Sequence, residues 1–91
     1  MKLNYSKEAK NKISKLPPQI KPLLKSALEN LVENPWAGKA LQRELLGFYS
    51  LRIKKYRVVY RIDTSSKKIY VYTLGLRKTI YEEFSHSLKH H

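Results

Sequence analysis

The middle of the chain alternates apolar and polar residues, which is the pattern of half-buried β-strands. The clearest stretch is 49–62, where apolar side chains recur at every second position on either side of a link, Lys54–Lys55. Extending the pattern predicts a short first strand and then three longer ones, at residues 3–5, 48–53, 56–63 and 68–74. Because the two-lysine link lacks the Gly or Asn that tight two-residue turns favour, a bulge or a looser turn is expected there.

Helical periodicity separates the first predicted strand from the other three. Ser6 is a favourable N-cap for a first helix, which the pair Pro17–Pro18 ends. A second helix is predicted from about Gln19 to Glu33, with its apolar residues on a single face. Short connections bring consecutive helices side by side, so the two should form an antiparallel hairpin with one shared apolar face.

The remaining elements complete a predicted fold class. Residues 35–47 read as a connection with one helical turn around Leu41, and Thr79–Glu82 spells a T-x-x-E capping box that opens a last helix. The order β-α-α-β-β-β-α predicts an α+β fold, in which an N-terminal helical hairpin packs on a four-stranded, mostly antiparallel sheet with a C-terminal helix. With 91 residues, the chain is expected to be one domain over 1–91.

Charge adds a functional expectation to this picture. The chain has 19 Lys and Arg against 7 Asp and Glu, a formal net charge of +12. Such self-repulsion opposes compaction, so we expect a polyanionic partner such as nucleic acid, or an acidic protein. There is no cysteine, and no apolar run approaches the roughly 18 residues of a membrane span. With no signal peptide preceding the fold, a cytoplasmic protein without a membrane partner is expected.

Basic and aromatic residues interleave over 49–81, which suits nucleic acid because arginines bind phosphates and rings stack on bases. Strand alternation places Arg57 and Arg61 on one face of the sheet, with Arg52 beside Arg57 on the neighbouring strand. Apposed like charges destabilise a sheet, so an anionic ligand is expected between Arg52 and Arg57. Lys54–Lys55 would rim this surface as substrate-binding residues, together with Arg61, although Arg61 alone could equally belong to a solvated face.

Tyr81 is a further candidate, in the first predicted turn of the last helix and four residues beyond Arg77. Unpaired N–H groups and the positive end of the helix dipole favour a phosphate there. The phenol could donate a proton or serve as a stacking platform, and the plainer alternative is that it covers the sheet edge. His90 and His91 are either a solvated tail or the remnant of a tag.

Several kinds of site are absent from the sequence. There is no His, Asp and Glu cluster for a metal, no Gly-rich phosphate loop, no Ser-His-Asp set and no close carboxylate pair. Neither a metal nor a cofactor is therefore expected. A nuclease with this sequence would rely on Arg and Lys side chains that stabilise charge around a strained phosphodiester.

Two segments together resemble a known superfamily. "LLGFYSLRIKKYRVVYRID", followed by "YVYTLGLRKTIYEEF", resembles the RelE/ParE superfamily of toxins from type II toxin–antitoxin modules, and the likeness runs from Leu45 to Phe84. The resemblance implies a RelE-like fold, a cognate antitoxin as partner, and metal-independent cleavage of mRNA in the ribosomal A site. It places catalytic roles on four residues of this chain: Arg52, Arg57, Arg77 and Tyr81.

In that scheme Arg57 and Arg77 hold the phosphate, Arg52 assists the nucleophile with Lys54, and Tyr81 acts on the leaving side. Ser50 is a departure, since RelE-like nucleases often carry a cation there, and it leaves the general base open. A ParE-like toxin that binds DNA gyrase without cleaving RNA is therefore the alternative. A third reading is an RNA-binding module or degenerate toxin without activity.

Overall fold

The computed structural model describes residues 1–89, so His90 and His91 lie outside it. This part of the chain forms one mixed sheet of five strands with three α-helices. The strands are β1 (Lys2–Tyr5), β2 (Lys39–Ala40), β3 (Phe48–Ile53), β4 (Tyr56–Asp63) and β5 (Lys68–Leu76). The helices are α1 (Lys7–Ser14), α2 (Lys21–Glu33) and α3 (Ile80–Lys89).

The strand predictions from alternation are confirmed. β3 and β4 have the predicted bounds, and β5 runs two residues further than expected, to Leu76. The sheet order is β1-β5-β4-β3-β2, and only the β1–β5 pairing is parallel among the described strands. α1 begins as predicted, because the Ser6 hydroxyl accepts a hydrogen bond from the Ala9 amide at 2.9 Å.

The prediction of four strands is wrong, because the connection after α2 adds a fifth. Residues Lys39–Ala40 pair antiparallel with β3 as a short edge strand, and the Leu41 amide donates to the Phe48 carbonyl at 2.9 Å. The predicted helical turn around Leu41 is also wrong, since 3-10 turns lie on either side, at Pro35–Ala37 and Arg43–Leu45. Without β2, the edge of β3 would leave backbone N–H and C=O groups unpaired. The short strand supplies partners for them.

A buried phenol fixes this connection to the sheet. The Tyr60 hydroxyl donates to the Pro35 carbonyl at 2.8 Å and accepts from the Gly38 amide at 3.1 Å. Burial raises the pKa of Tyr60, so the phenol stays protonated and keeps both bonds.

The predicted helical hairpin with one shared apolar face needs correction. α1 packs chiefly on β5 and β1, whereas α2 packs on β3 and on the turn that follows it. Both helices contribute to one core, through Ala9 of α1 and Leu24, Leu28 and Leu31 of α2, with Leu16 just after α1. A sheet offers each helix a broader apolar surface than another helix does, so the helices bury their stripes against strands.

The β3–β4 turn also differs from the expectation of a bulge or looser turn. Pairing continues to Ile53 opposite Tyr56, so Lys54 and Lys55 form a tight two-residue turn. Lys54 accommodates it by adopting a positive φ of 55°, a conformation that Gly or Asn would adopt more readily. The register irregularity lies instead between Val59 and Tyr60, where β4 faces β5.

The second face of the sheet carries α3. Ile80 and Phe84 of the helix pack with Val59 and Phe48 of the strands, and Leu41 and Leu45 close this second core. The predicted capping box is replaced by a neighbouring contact, in which the Thr79 hydroxyl donates to the Glu83 carboxylate at 3.1 Å. None of the helices in residues 1–89 has the length and apolarity needed to cross a bilayer.

Candidate functional site

The β3–β4 hairpin presents two arginines side by side. Arg52 lies directly opposite Arg57 in the strand register, and the next pair on the same face is Ser50 opposite Val59. This face is the one that α3 covers, because Val59 packs with Ile80. The apposition predicted from alternation is therefore present, at the margin of the second core.

Arg57 is partly buried and incompletely paired. Its Nη1 donates to the Ser50 hydroxyl at 3.3 Å. Its Nε is shielded from solvent and has no hydrogen-bond acceptor within residues 1–89. Arg57 has further guanidinium N–H groups besides these two, and an anionic ligand beside Arg52 would accept hydrogen bonds from them.

Arg52 is more exposed than Arg57. Its Nε donates to the Lys54 carbonyl at 3.2 Å, which holds the side chain along the turn. In the described part of the chain, no carboxylate lies within ion-pair distance of Arg52, Arg57 or Arg77. The positive charge of this hairpin is thus not neutralised by the fold itself.

Tyr81 joins the site through Ser50. Its hydroxyl lies 2.8 Å from the Ser50 hydroxyl, and its ring packs against the second core at the first turn of α3. Ser50 itself is only 1% exposed. The structure therefore brings Arg57, Ser50 and Tyr81 into one hydrogen-bonded chain beside Arg52.

Arg77 reaches the same hairpin from the end of β5. Its amide donates to the Lys55 carbonyl at 2.7 Å, which ties the segment after β5 to the β3–β4 turn. Its exposed side chain lines a cleft of about 260 Å³ with Lys55, Leu76 and Lys78. The backbone is therefore close to the arginine pair, while the convergence of the Arg77 guanidinium on one phosphate stays a prediction.

The predicted substrate-binding cations have separate surroundings. The Lys55 ammonium lies 5.9 Å from the centre of the Tyr56 ring, and Lys54 forms the turn. Arg61 lies over the Phe48 ring at 5.5 Å, four residue pairs along the hairpin from Arg57 and on the same face. This contact gives Arg61 a packing role, and substrate binding by Arg61 remains a prediction.

The nearby carboxylate does not neutralise Arg61. Asp63 accepts hydrogen bonds from the Ser65 hydroxyl and amide and from the Ser66 amide. Together these bonds lower the pKa of Asp63 to about 2, and the bond from the Ser65 side chain contributes most. Asp63 is thus ionised at neutral pH and engaged by its own turn, which leaves the cationic face intact.

Sequence reasoning treated Ser50 only as a missing cation. The structure instead makes it the junction between Arg57 and Tyr81. Alternation did place Ser50 on the face of Arg52, but nothing local could reveal its contact with a helix residue 31 positions away. Within residues 1–89 no group of three His, Asp or Glu side chains is arranged to hold a metal ion.

Comparison with known proteins identifies the family to which this fold belongs. The family model for the ParE toxin of type II toxin–antitoxin system, parDE, matches residues 3–81. Toxin RelG of Mycobacterium tuberculosis is 33% identical over 81 residues, which cover 87% of this chain and 93% of RelG. The chain therefore belongs to the ParE toxin family of type II toxin–antitoxin modules, within the RelE/ParE superfamily.

Solved structures agree with this assignment. A chain of the toxin–antitoxin complex RelBE2 from Mycobacterium tuberculosis matches with a TM-score of 0.75 and 32% identity, over 84% of this chain and 96% of that chain. A chain of the intact E. coli RelBE toxin–antitoxin complex matches with a TM-score of 0.73, over 82% and 94% of the two chains. At 22% identity, the E. coli match is evidence for the fold alone.

Proposed function

We propose that this toxin is an endoribonuclease that cleaves mRNA in the ribosomal A site, in the cytoplasm, by attack of a 2′-hydroxyl on the adjacent phosphate. The observation that carries the proposal is the apposition of Arg52 and Arg57 on paired strands, with no carboxylate within ion-pair distance of either guanidinium in residues 1–89. A phosphate oxygen is a suitable acceptor, because charge-assisted bonds from a guanidinium to phosphate are strong and directional.

The reaction is a transesterification within the RNA. A bond forms between the 2′ oxygen and phosphorus, the bond to the 5′ oxygen breaks, and the products are a 2′,3′-cyclic phosphate and a 5′-hydroxyl. The 2′ oxygen loses a proton and the 5′ oxygen gains one, so atoms and charge balance. No metal or cofactor takes part in the proposed reaction.

The proposed roles are those that the family resemblance implies for these positions. Arg57 and Arg77 hold the phosphate and stabilise the additional negative charge of the transition state. Arg52, with Lys54 at the turn, assists the attacking 2′-hydroxyl. Tyr81, which is linked to Arg57 through Ser50, acts on the leaving oxygen. Lys55 and Arg61 bind the flanking backbone of the message.

A ParE-like function is the second candidate, namely inhibition of DNA gyrase by binding alone. Two observations favour it: the family model that matches is that of the ParE toxin, and position 50 holds a buried serine rather than a cation. A binding inhibitor needs a cationic surface but no complete catalytic set.

One experiment separates the two candidates. Purified toxin is added to translating ribosomes, the 3′ ends of the message are mapped, and DNA breaks are measured in parallel in gyrase reactions. We expect mRNA ends at discrete A-site codons, carrying 2′,3′-cyclic phosphate. Intact message at doses that stop growth, together with gyrase-dependent breaks, would establish the ParE-like function instead. Unharmed growth on expression would leave a module without toxic activity.

The proposed partner is a cognate antitoxin with an acidic or amphipathic segment that masks the cationic hairpin or displaces α3. The support is the net charge of +12 and the resemblance to toxins solved in toxin–antitoxin complexes. Because exposed charges are screened by salt, we expect the dissociation constant of the complex to rise as sodium chloride is raised from 0.05 to about 0.5 M. Titration calorimetry measures it, and an affinity independent of salt contradicts the electrostatic basis.

A further inference from the structure

A buried serine lies at the centre of the candidate site. The Ser50 hydroxyl is within 3.3 Å of Arg57 Nη1 and 2.8 Å of the Tyr81 hydroxyl, and the residue is 1% exposed. A side chain so enclosed cannot exchange its partners for water. The directions of its two hydrogen bonds are therefore set by the protein.

These directions follow from what each group can do. A guanidinium donates and never accepts, so the Ser50 oxygen is the acceptor in its bond with Arg57. The Ser50 proton then needs an acceptor of its own, and among residues 1–89 the Tyr81 oxygen is the hydrogen-bond partner that remains. Were Tyr81 the donor instead, the Ser50 proton would be buried without an acceptor, which folded proteins avoid.

The chain of hydrogen bonds therefore runs from Arg57 to Ser50 and from Ser50 to Tyr81. Tyr81 receives a hydrogen bond and keeps its own O–H for another partner. Tyr81 is partly buried, and its hydroxyl has no hydrogen-bond partner besides Ser50 within residues 1–89, which leaves this O–H available to a ligand. The arrangement therefore favours a role for Tyr81 as a hydrogen-bond donor, rather than as a ring that stacks on a base or covers the sheet edge.

We propose that Ser50 is a positioning residue that presents the Tyr81 hydroxyl as a donor to an oxygen of the bound phosphodiester. The inference rests on the proposed ribonuclease function and deepens it, because it assigns the direction of a bond in the same site. As negative charge develops on the leaving 5′ oxygen, the Tyr81 O–H stabilises it. The charge that Tyr81 takes up is stabilised in turn by the Ser50 O–H, which Arg57 polarises.

A double-mutant cycle tests whether Ser50 acts through Tyr81. Single-turnover cleavage is measured for the wild type, Ser50→Ala, Tyr81→Phe and the double variant, with thermal unfolding as the control for folding. We expect Tyr81→Phe to lower the rate by about 10²-fold and Ser50→Ala by roughly tenfold. In the Tyr81→Phe background, Ser50→Ala should change the rate by less than about twofold, because residues that act as a unit are not additive.

The double-mutant cycle can also contradict the proposal. If Ser50→Ala lowers the rate by the same factor with and without the Tyr81 hydroxyl, Ser50 acts through Arg57 alone and the proposal is overturned. Binding of a message with a 2′-deoxy nucleotide at the cleavage site should be little changed by Ser50→Ala. A large loss of binding would show a role in holding the RNA instead.

A spectroscopic measurement keeps this inference separate from the proposed function. The intensity ratio of the tyrosine doublet in Raman spectra reports whether a phenolic oxygen accepts or donates. In the difference between wild type and Tyr81→Phe, we expect an accepting oxygen, and Ser50→Ala should abolish that signature. A purely donating Tyr81 overturns the assignment. This measurement does not require RNA cleavage. It therefore tests the direction of the Ser50–Tyr81 hydrogen bond separately from the ribonuclease proposal.

Discussion

We expect Arg57→Ala to lower the single-turnover rate of mRNA cleavage on the ribosome by about 10²–10³-fold, which corresponds to roughly 3–4 kcal/mol of transition-state stabilisation. Arg57 is held on a paired strand directly opposite Arg52, and no carboxylate in residues 1–89 neutralises either guanidinium. A donor held in that way need not reorganise as charge develops on the phosphate. The measurement is the rate of appearance of mapped 3′ ends at saturating toxin.

Two further variants test whether the loss of rate is specific to the Arg57 guanidinium. Arg57→Lys keeps the charge but loses the planar fork, so it should recover only part of the rate. Lys25→Ala removes one positive charge from the exposed surface of α2, on an element that packs on the other core, and should cleave at nearly the wild-type rate. If Lys25→Ala and Arg57→Ala were equally impaired, net charge rather than the site would explain the activity.

Loss of stability should not account for the effect of Arg57→Ala. Arg57 faces Arg52 across two paired strands without a neutralising carboxylate in residues 1–89. Directly opposed like charges destabilise a sheet, so removal of one relieves repulsion and offsets the lost packing of its stem. The melting temperature of the variant should therefore remain close to that of the wild type.

Local sequence patterns predicted the elements whose structure depends on residues close together in the chain. The period-two alternation of apolar and polar side chains located β3 and β4 to the residue. It did not show that both faces are covered, since Val58, Val59 and Tyr60 are all buried. It failed for β2, whose two residues carry no alternation and pair only because β3 offers a free edge. It also failed for the Lys54 turn, where pairing on both sides imposes a positive φ that the residue type disfavours.

The same distinction between local patterns and contacts distant in sequence applies to the candidate site. The apposition of Arg52 and Arg57 follows from strand alternation plus a short link, and the structure shows it. The junction at Ser50 depends on where α3 lies on the sheet, which the second core decides through contacts distant in sequence. A family resemblance could assign roles to Arg57 and Tyr81, but it treated the serine between them as a deficiency.

The second core positions α3, so its centre should matter for both stability and activity. Ile80 is fully buried, at 0% exposure, and packs with Val59 and Phe84. Its Cδ1 lies 2.9 Å from where a side chain on Gly75 would begin, so helix and strand are in close contact. We expect Ile80→Ala to reduce the free energy of unfolding by about 2–5 kcal/mol, since the cavity cannot fully collapse.

The matched control lies on the same helix. Leu88 is 38% exposed, so Leu88→Ala should cost well under half as much in urea unfolding. Ile80 immediately precedes Tyr81, so Ile80→Ala should also slow cleavage at temperatures where the variant is still folded, whereas Leu88→Ala should not. Equal losses of stability for the two variants would mean that α3 is not anchored through Ile80. Full cleavage activity in folded Ile80→Ala would mean that the helix anchor does not set the position of the phenol, because the Ser50 hydrogen bond alone then suffices to hold Tyr81 in place.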